Sequence, residues 1–275
     1  MRYEKQTNKI IIYNPADFNS QQILDCGQIF RYKIDGNIAT VCSMDKFAKI
    51  ITLKDKIIIE TQDVSYFESF FDLKTDYSKI KAELKQDEFL SSAVDYGYGI
   101  RILNNDAFEM IVSFMISQNN NIPRIKKSIE WLCQKFGTKH EEYYAFPTLD
   151  QLKIATEQDF KEAGLGYRAK YMHETMQFLT NEMIEDLKQK NKDEQYNFLV
   201  SLKGIGEKVA NCILLFGLQR KDVFPVDTWI NKVYNELTHT TETNRNKITI
   251  ELTNRYKNLS GYAQQYFFYY FRENR

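Results

Sequence analysis

Glycine and proline are scarce in this chain of 275 residues, with 11 and 4 copies respectively, well under their ordinary joint share of about 12%. That scarcity disfavours collagenous, linker-rich and glycine-loop folds and favours long, uninterrupted helices. An excess of either charge is also missing, because 37 Lys and Arg residues face 37 Asp and Glu. Net charge alone therefore cannot hold a polyanion, which must be met by local patches or backbone dipoles. The four cysteines, Cys26, Cys42, Cys133 and Cys212, stand far apart without a C-x-x-C pair. Neither a zinc knuckle nor a cysteine-ligated iron–sulfur cluster is written in that spacing, and the thiols read as reduced. His140, His173 and His239 show no metal-like spacing either, so no metal and no cofactor is expected. The longest apolar stretches, such as 212–218, are far too short to cross a bilayer, and the first residues lack the apolar region of a signal peptide. A soluble, cytoplasmic monomer without a membrane partner is the expectation.

What is present is a large apolar complement: 43% hydrophobic residues, including 19 Phe, 18 Tyr and 2 Trp, enough for a sizeable core in one or two domains. Up to about residue 75, short runs rich in Ile, Val, Tyr and Thr are broken by turn residues, at 9–13, 28–34, 37–43, 46–53 and 56–61. These predict strands of an antiparallel sheet, with Asp35-Gly36-Asn37 as a hairpin turn and Lys54-Asp55 as a second. From about residue 78 the period becomes helical. Phe108, Ile111, Val112 and Met115 share one face, as do Ile125, Ile129, Leu132, Cys133 and Phe136. Thr156-x-x-Asp159 resembles a capping box, and Gly164 a helix stop. Helical patterning continues over 171–187 and 196–202, resumes at Ile230, Val233, Tyr234 and Leu237, and ends in an aromatic-rich helix over about 261–272. The fold class is α+β, with an antiparallel sheet domain over 1–80 and a mostly helical region over 81–275.

One stretch carries chemistry. A helix ends near Leu202, Gly204 and Gly206 permit a tight turn, and Val209, Cys212, Ile213 and Phe216 open a new apolar face. This predicts a helix, a hairpin over about 202–208, and a second helix. The amides at the hairpin and the second helix's N-terminus can hold a phosphate without side-chain charge. Alone, a G-x-G turn reads equally as an ordinary helix corner. Then comes Pro225-Val226-Asp227-Thr228-Trp229, its carboxylate 19 residues after Lys208. Taken singly, Asp227 reads as an N-cap and Lys208 as a solvated side chain.

The combination resembles the helix-hairpin-helix (HhH-GPD) DNA glycosylase superfamily, and within it most nearly the 8-oxoguanine DNA glycosylases. Matching segments run in family order: Cys26-Gly27-Gln28-Ile29-Phe30-Arg31, residues 113–122 (SFMISQNNNI), Gly164-Leu165-Gly166-Tyr167-Arg168-Ala169, and Ala263-Gln264 with Phe268. The resemblance implies two helical subdomains with the active site in the cleft between them, and duplex DNA containing 8-oxoguanine as partner, consistent with a nucleoid-associated protein. It further implies excision of the base, preferably opposite cytosine, followed by nicking of the abasic site, as a step of base excision repair. Cleaving a base from deoxyribose passes through a cationic sugar. A carboxylate steadies that cation and an amine captures C1′ as a Schiff base, from which the 3′ phosphate leaves by β-elimination. Asp227 and Lys208 supply those groups. A lysine attacks only as the free amine, whereas a neighbouring carboxylate favours the ammonium, so Asp227 is assigned to the sugar cation and to proton transfer.

8-Oxoguanine differs from guanine in having a donor at N7 and a carbonyl at C8, whereas guanine N7 accepts. The family aims a backbone carbonyl at N7, and its glycine matches Gly27. By resemblance, Phe268 and Cys212 sandwich the flipped base and Gln264 bonds its pairing edge; read without it, Phe268 is core and Cys212 a small buried hydrophobe. Tyr167 matches the wedge left in the stack, and Asn119, Arg124 and Arg168 match the residues gripping the orphaned cytosine, whose O2 and N3 accept. Trp229 departs from the pattern, standing where relatives carry histidine near the phosphate. Two rival readings stay open here: an endonuclease III-like pyrimidine-lesion glycosylase, which does not need the C-G-Q-x-F-R segment, and a non-catalytic helix-hairpin-helix module that only binds DNA.

Overall fold

The structure, a computed structural model, describes residues 1–274. Six antiparallel strands, β1 (Arg2–Gln6), β2 (Lys9–Tyr13), β3 (Tyr32–Asp35), β4 (Ile38–Ser43), β5 (Lys46–Thr52) and β6 (Lys56–Glu60), form one sheet in the order β1-β2-β6-β5-β4-β3. Period-2 alternation places Ile10, Ile12, Ala39, Val41, Ala48, Ile50, Ile57 and Ile59 on one buried face. Phe67 and Phe70 of the helix Val64–Phe70, with Phe71, cover that face. Gly36 makes the β3–β4 turn at φ +55°, and Leu53 N–H donating to Lys56 C=O closes the turn at Lys54-Asp55.

Three departures from the sequence reading have local causes. β1 has no apolar alternation because it is a polar edge strand, and its burial is slight. The run 28–34 is a strand only from Tyr32 onward, because buried Gln28 ties the preceding segment down as a loop. Its amide donates to Ile23 C=O at 2.9 Å and Arg101 C=O at 2.8 Å, and its oxygen accepts from Leu103 N–H at 2.8 Å. The pattern over 171–187 is two helices, Arg168–Phe178 and Asn181–Gln189. Leu179 turns extended between them, and the Thr180 side chain caps the second helix by accepting from Met183 N–H at 3.1 Å.

A second, larger core lies under the helices. At its centre the helix Ala107–Ser117 packs against Glu207–Gly217, with Phe114 and Phe216 stacked 5.6 Å apart. Gly217 permits that approach, since a Cβ there would stand 2.9 Å from Met110 Cβ. The capping box at Thr156 and the Gly164 stop, at φ +85°, bracket the helix Glu157–Glu162. Sequence patterning misses the helix Arg245–Tyr256, whose buried residues are confined to Ile248, Leu252 and Tyr256 on an otherwise polar segment.

Glu109 joins sheet to helices. It lies in the helix Ala107–Ser117 and its Oε2 accepts from Met44 N–H at 2.8 Å and Ser43 Oγ–H at 3.3 Å, at the β4–β5 turn. Burial, only partly offset by nearby Arg31, pushes this carboxyl up to about 7.

Candidate active-site cleft

Lys192–Ser201 ends at Leu202, and the chain reverses through Gly204 before the helix Glu207–Gly217 begins with Gly206 as N-cap. Gly204 takes φ +81°, and a Cβ there would stand 2.8 Å from the Tyr171 ring, so this corner requires glycine on two counts. Gly206 is exposed and a Cβ there would meet nothing within 4 Å, so the backbone at the start of this helix is open to a ligand.

Lys208 occupies that first turn, and Cys212 follows one turn later on the same face. The Lys208 ammonium lies 5.7 Å from the Phe114 ring centroid. Burial raises the Cys212 thiol, the Lys208 charge lowers it and the Asp227 charge raises it. Lys208 and Asp227 thus both lie near enough to Cys212 for their charges to act on its thiol. Asp227 follows the Pro225-Val226 segment as N-cap of Thr228–Thr238, its Oδ1 accepting from Ile230 N–H at 2.8 Å. That bond occupies one carboxylate oxygen and holds the group at the helix's positive end.

Both residues line a cleft of about 900 Å³, together with Gly27, Asn119, Gly206, Cys212, Gln264 and Phe268. Gly27, at φ +78°, lies so close to Phe268 that a Cβ would stand 3.0 Å from its ring. Gln264 is buried and Phe268 half-buried on the helix Ser260–Glu273. Arg124, Tyr167, Arg168 and Gly204 are not among the residues lining this cleft. Buried Arg168 donates from Nε to Leu165 C=O at 2.9 Å and from Nη1 to Gln118 C=O, next to Asn119. Burial lowers the Arg168 guanidinium, and the charge of Arg124 lowers it further. Tyr167 is 61% exposed beneath an Arg168 guanidinium 5.3 Å from its ring centroid.

Sequence reading missed Phe114, Gln265, Arg245, Asn246 and Arg272 as cleft residues. Arg245 donates to Thr228 Oγ1 at 3.1 Å and Asn246 Nδ2 to Glu207 Oε1 at 2.6 Å. These bonds fasten the start of their helix to the two helices that carry Asp227 and Lys208. Only the unread helix Arg245–Tyr256 brings Arg245 and Asn246 there. Trp229 is 45% exposed on the same rim, with Lys232 Nζ 5.3 Å from its ring.

Residues 112–258 match the family model of HhH-GPD superfamily base excision DNA repair proteins. The chain belongs to that superfamily. Residues 10–111 match the family model of the 8-oxoguanine DNA glycosylase N-terminal domain. A probable N-glycosylase/DNA lyase of Methanothermobacter thermautotrophicus is 31% identical over 249 residues, covering 81% of this chain and 76% of that protein. The Clostridium acetobutylicum 8-oxoguanine glycosylase/lyase, solved with duplex DNA bearing cytosine opposite 8-oxoguanine, superposes with a TM-score of 0.94 at 38% identity. The match covers 100% of this chain and 98% of that one. The N-glycosylase/DNA lyase of Saccharomyces cerevisiae is 39% identical over 153 residues, 49% of this chain and 41% of that protein. In this HhH-GPD chain, the hairpin helix and the helix capped by Asp227 thus face one cleft within a full-length match.

Proposed function

We propose that this chain is a bifunctional DNA glycosylase and abasic-site lyase that excises 8-oxoguanine opposite cytosine from duplex DNA. The observation that carries the reading is the convergence of Lys208, Asp227, Cys212, Gly27, Gln264 and Phe268 on one cleft. A module that only binds DNA has no need of that set. The match of residues 10–111 favours the 8-oxoguanine reading over the pyrimidine-lesion one.

The flipped base enters between Cys212 and Phe268, the Gly27 carbonyl accepts from N7–H, and Gln264 meets the pairing edge. As the glycosidic bond breaks, the base carries away the bonding electrons and takes up a proton, while Lys208 Nζ bonds to C1′. The Asp227 carboxylate, fixed by the Ile230 amide, steadies the positive charge that develops on the sugar. Breaking the C1′–O4′ bond opens the sugar ring, with O4′ taking up a proton, and gives the Schiff base; removal of a C2′ proton then expels the 3′ phosphate. Asn119, Arg124 and Arg168 take the orphaned cytosine, Tyr167 fills the gap, and the amides beyond Gly204 and Gly206 hold the backbone phosphate.

Duplexes carrying 8-oxoguanine, undamaged guanine or an oxidised pyrimidine, assayed with and without alkali, test this. Strand cleavage of the 8-oxoguanine duplex before alkali, with the guanine duplex intact, is expected. Preferential cleavage at the oxidised pyrimidine would contradict the assignment.

A further inference from the structure

The helix Ser260–Glu273 carries two consecutive glutamines, Gln264 and Gln265, both buried and both lining the cleft. Gln265 Nε2 donates to Gln264 Oε1 at 3.1 Å. The buried Gln265 Oε1 has no partner among the described residues. An orphaned buried carbonyl is unfavourable, and an apolar side chain of similar volume would avoid it. Packing alone therefore does not account for an amide at this position. Its consequence is polarity: a carboxamide whose oxygen accepts from a neighbour turns its NH2 group the other way. Gln264 Nε2 has no protein partner among the described residues, and Gln264 faces the cleft.

We propose that Gln265 is a positioning residue that fixes the orientation of the Gln264 amide, so that a donor rather than an acceptor meets the pairing edge of the flipped base. The inference rests on the reading of Gln264 as the residue against that edge. A donor there selects the C6 oxygen of a 6-oxopurine and rejects a 6-aminopurine, whose exocyclic group is itself a donor. The 2-amino group of guanine plays no part in this contact. The substrates so defined are 8-oxidised 6-oxopurines, with 8-oxohypoxanthine included and 8-oxoadenine refused.

Gln265→Glu tests this, because an ionised carboxylate only accepts. Gln264 must then turn its NH2 group to residue 265 and its oxygen to the base. With lesions opposite cytosine at about pH 8, above the value of about 7 to which burial pushes the Glu109 carboxyl, the kcat/KM ratio of 8-oxoguanine to 8-oxoadenine is expected to fall by about tenfold. The ratio of 8-oxoguanine to 8-oxohypoxanthine should stay within about twofold, as no bond to the 2-amino group changes. Gln265→Met fills the volume without orienting Gln264 and should give a smaller fall. If the Glu variant does not fold, as judged by thermal melting, the Met variant decides alone. A ratio that does not move in a folded variant overturns the proposal, as does a rise in Gln265→Glu, which means that Gln264 already donates to residue 265. Wild type that fails to excise 8-oxoguanine at all refutes the underlying reading of the site instead.

Discussion

The wall of the cleft that carries Lys208, Cys212, Asp227 and Gln264 takes each side chain from a helix or its cap, and Cys212 and Gln264 are buried. By contrast Asn119, Arg124, Tyr167 and Arg168, of which only Asn119 lines the cleft, sit at turns and helix starts; the first three are exposed, with Asn119 in the left-handed region at φ 45°. Of these residues only Arg168 is buried, with its Nε and one Nη1 donor held by the Leu165 and Gln118 carbonyls and its Nη2 donors left over. The first wall is set before DNA arrives, as electrostatic stabilisation of a transition state requires. On the proposed reading, the second group acquires its geometry when the orphaned base is there to organise it. Substitutions in the first should therefore abolish chemistry, and substitutions in the second should change selectivity.

The largest effect belongs to Lys208→Gln, which is expected to eliminate both strand nicking and the borohydride-trapped adduct. Nicking that persists at the wild-type rate would break the distinction between the walls at its strongest point. Asp227→Asn comes next, with turnover falling by about 10²-fold or more, read by single-turnover excision. Asparagine caps a helix as well as aspartate does, so lesion binding and melting temperature should hold. A collapse of the fold would instead reduce Asp227 to a cap.

Glu109 probes the fold beneath both walls. Its folded pKa, about 7, lies above its ordinary value of 4.5. The sign is therefore that of a group whose neutral form the fold prefers: its contribution is fully present below the ordinary value and is lost as pH rises through the folded one. Wild type should lose up to about 3 kcal/mol relative to Glu109→Gln between about pH 5 and pH 8, measured by denaturant unfolding at both. A parallel pH dependence in the two proteins would contradict this. The smallest effect is expected from Arg124→Ala, a change of about 1–2 kcal/mol that narrows the preference for cytosine over adenine opposite the lesion without reducing trapping. An unchanged ratio would remove Arg124 from the orphan-base wall.

Legibility in the sequence follows from how local each feature is. The hairpin is readable because Gly204 takes a backbone conformation that favours glycine, and the Thr156 capping box because its partners are three apart. The Pro225–Asp227 segment is readable for the same reason, since its aspartate caps the helix through the amide three residues on. β1 is not, since an edge strand such as RYEKQ has no buried face to impose alternation. The break at Leu179 is hidden because apolar periodicity runs through it, and only the Thr180 cap betrays it. Gln28 and Gln265 are beyond such reading, because each matters through the partners that the fold brings to it. Arg245 and Asn246 belong to the same class, as their helix buries too few residues to leave a clear apolar stripe.

The central claim is tested most directly by locating the covalent bond. Wild-type protein incubated with an 8-oxoguanine:cytosine duplex and borohydride, then digested and sequenced by mass spectrometry, should carry the reduced sugar on the Lys208 side chain alone. An adduct on any other lysine, or on the amino terminus, would contradict the account.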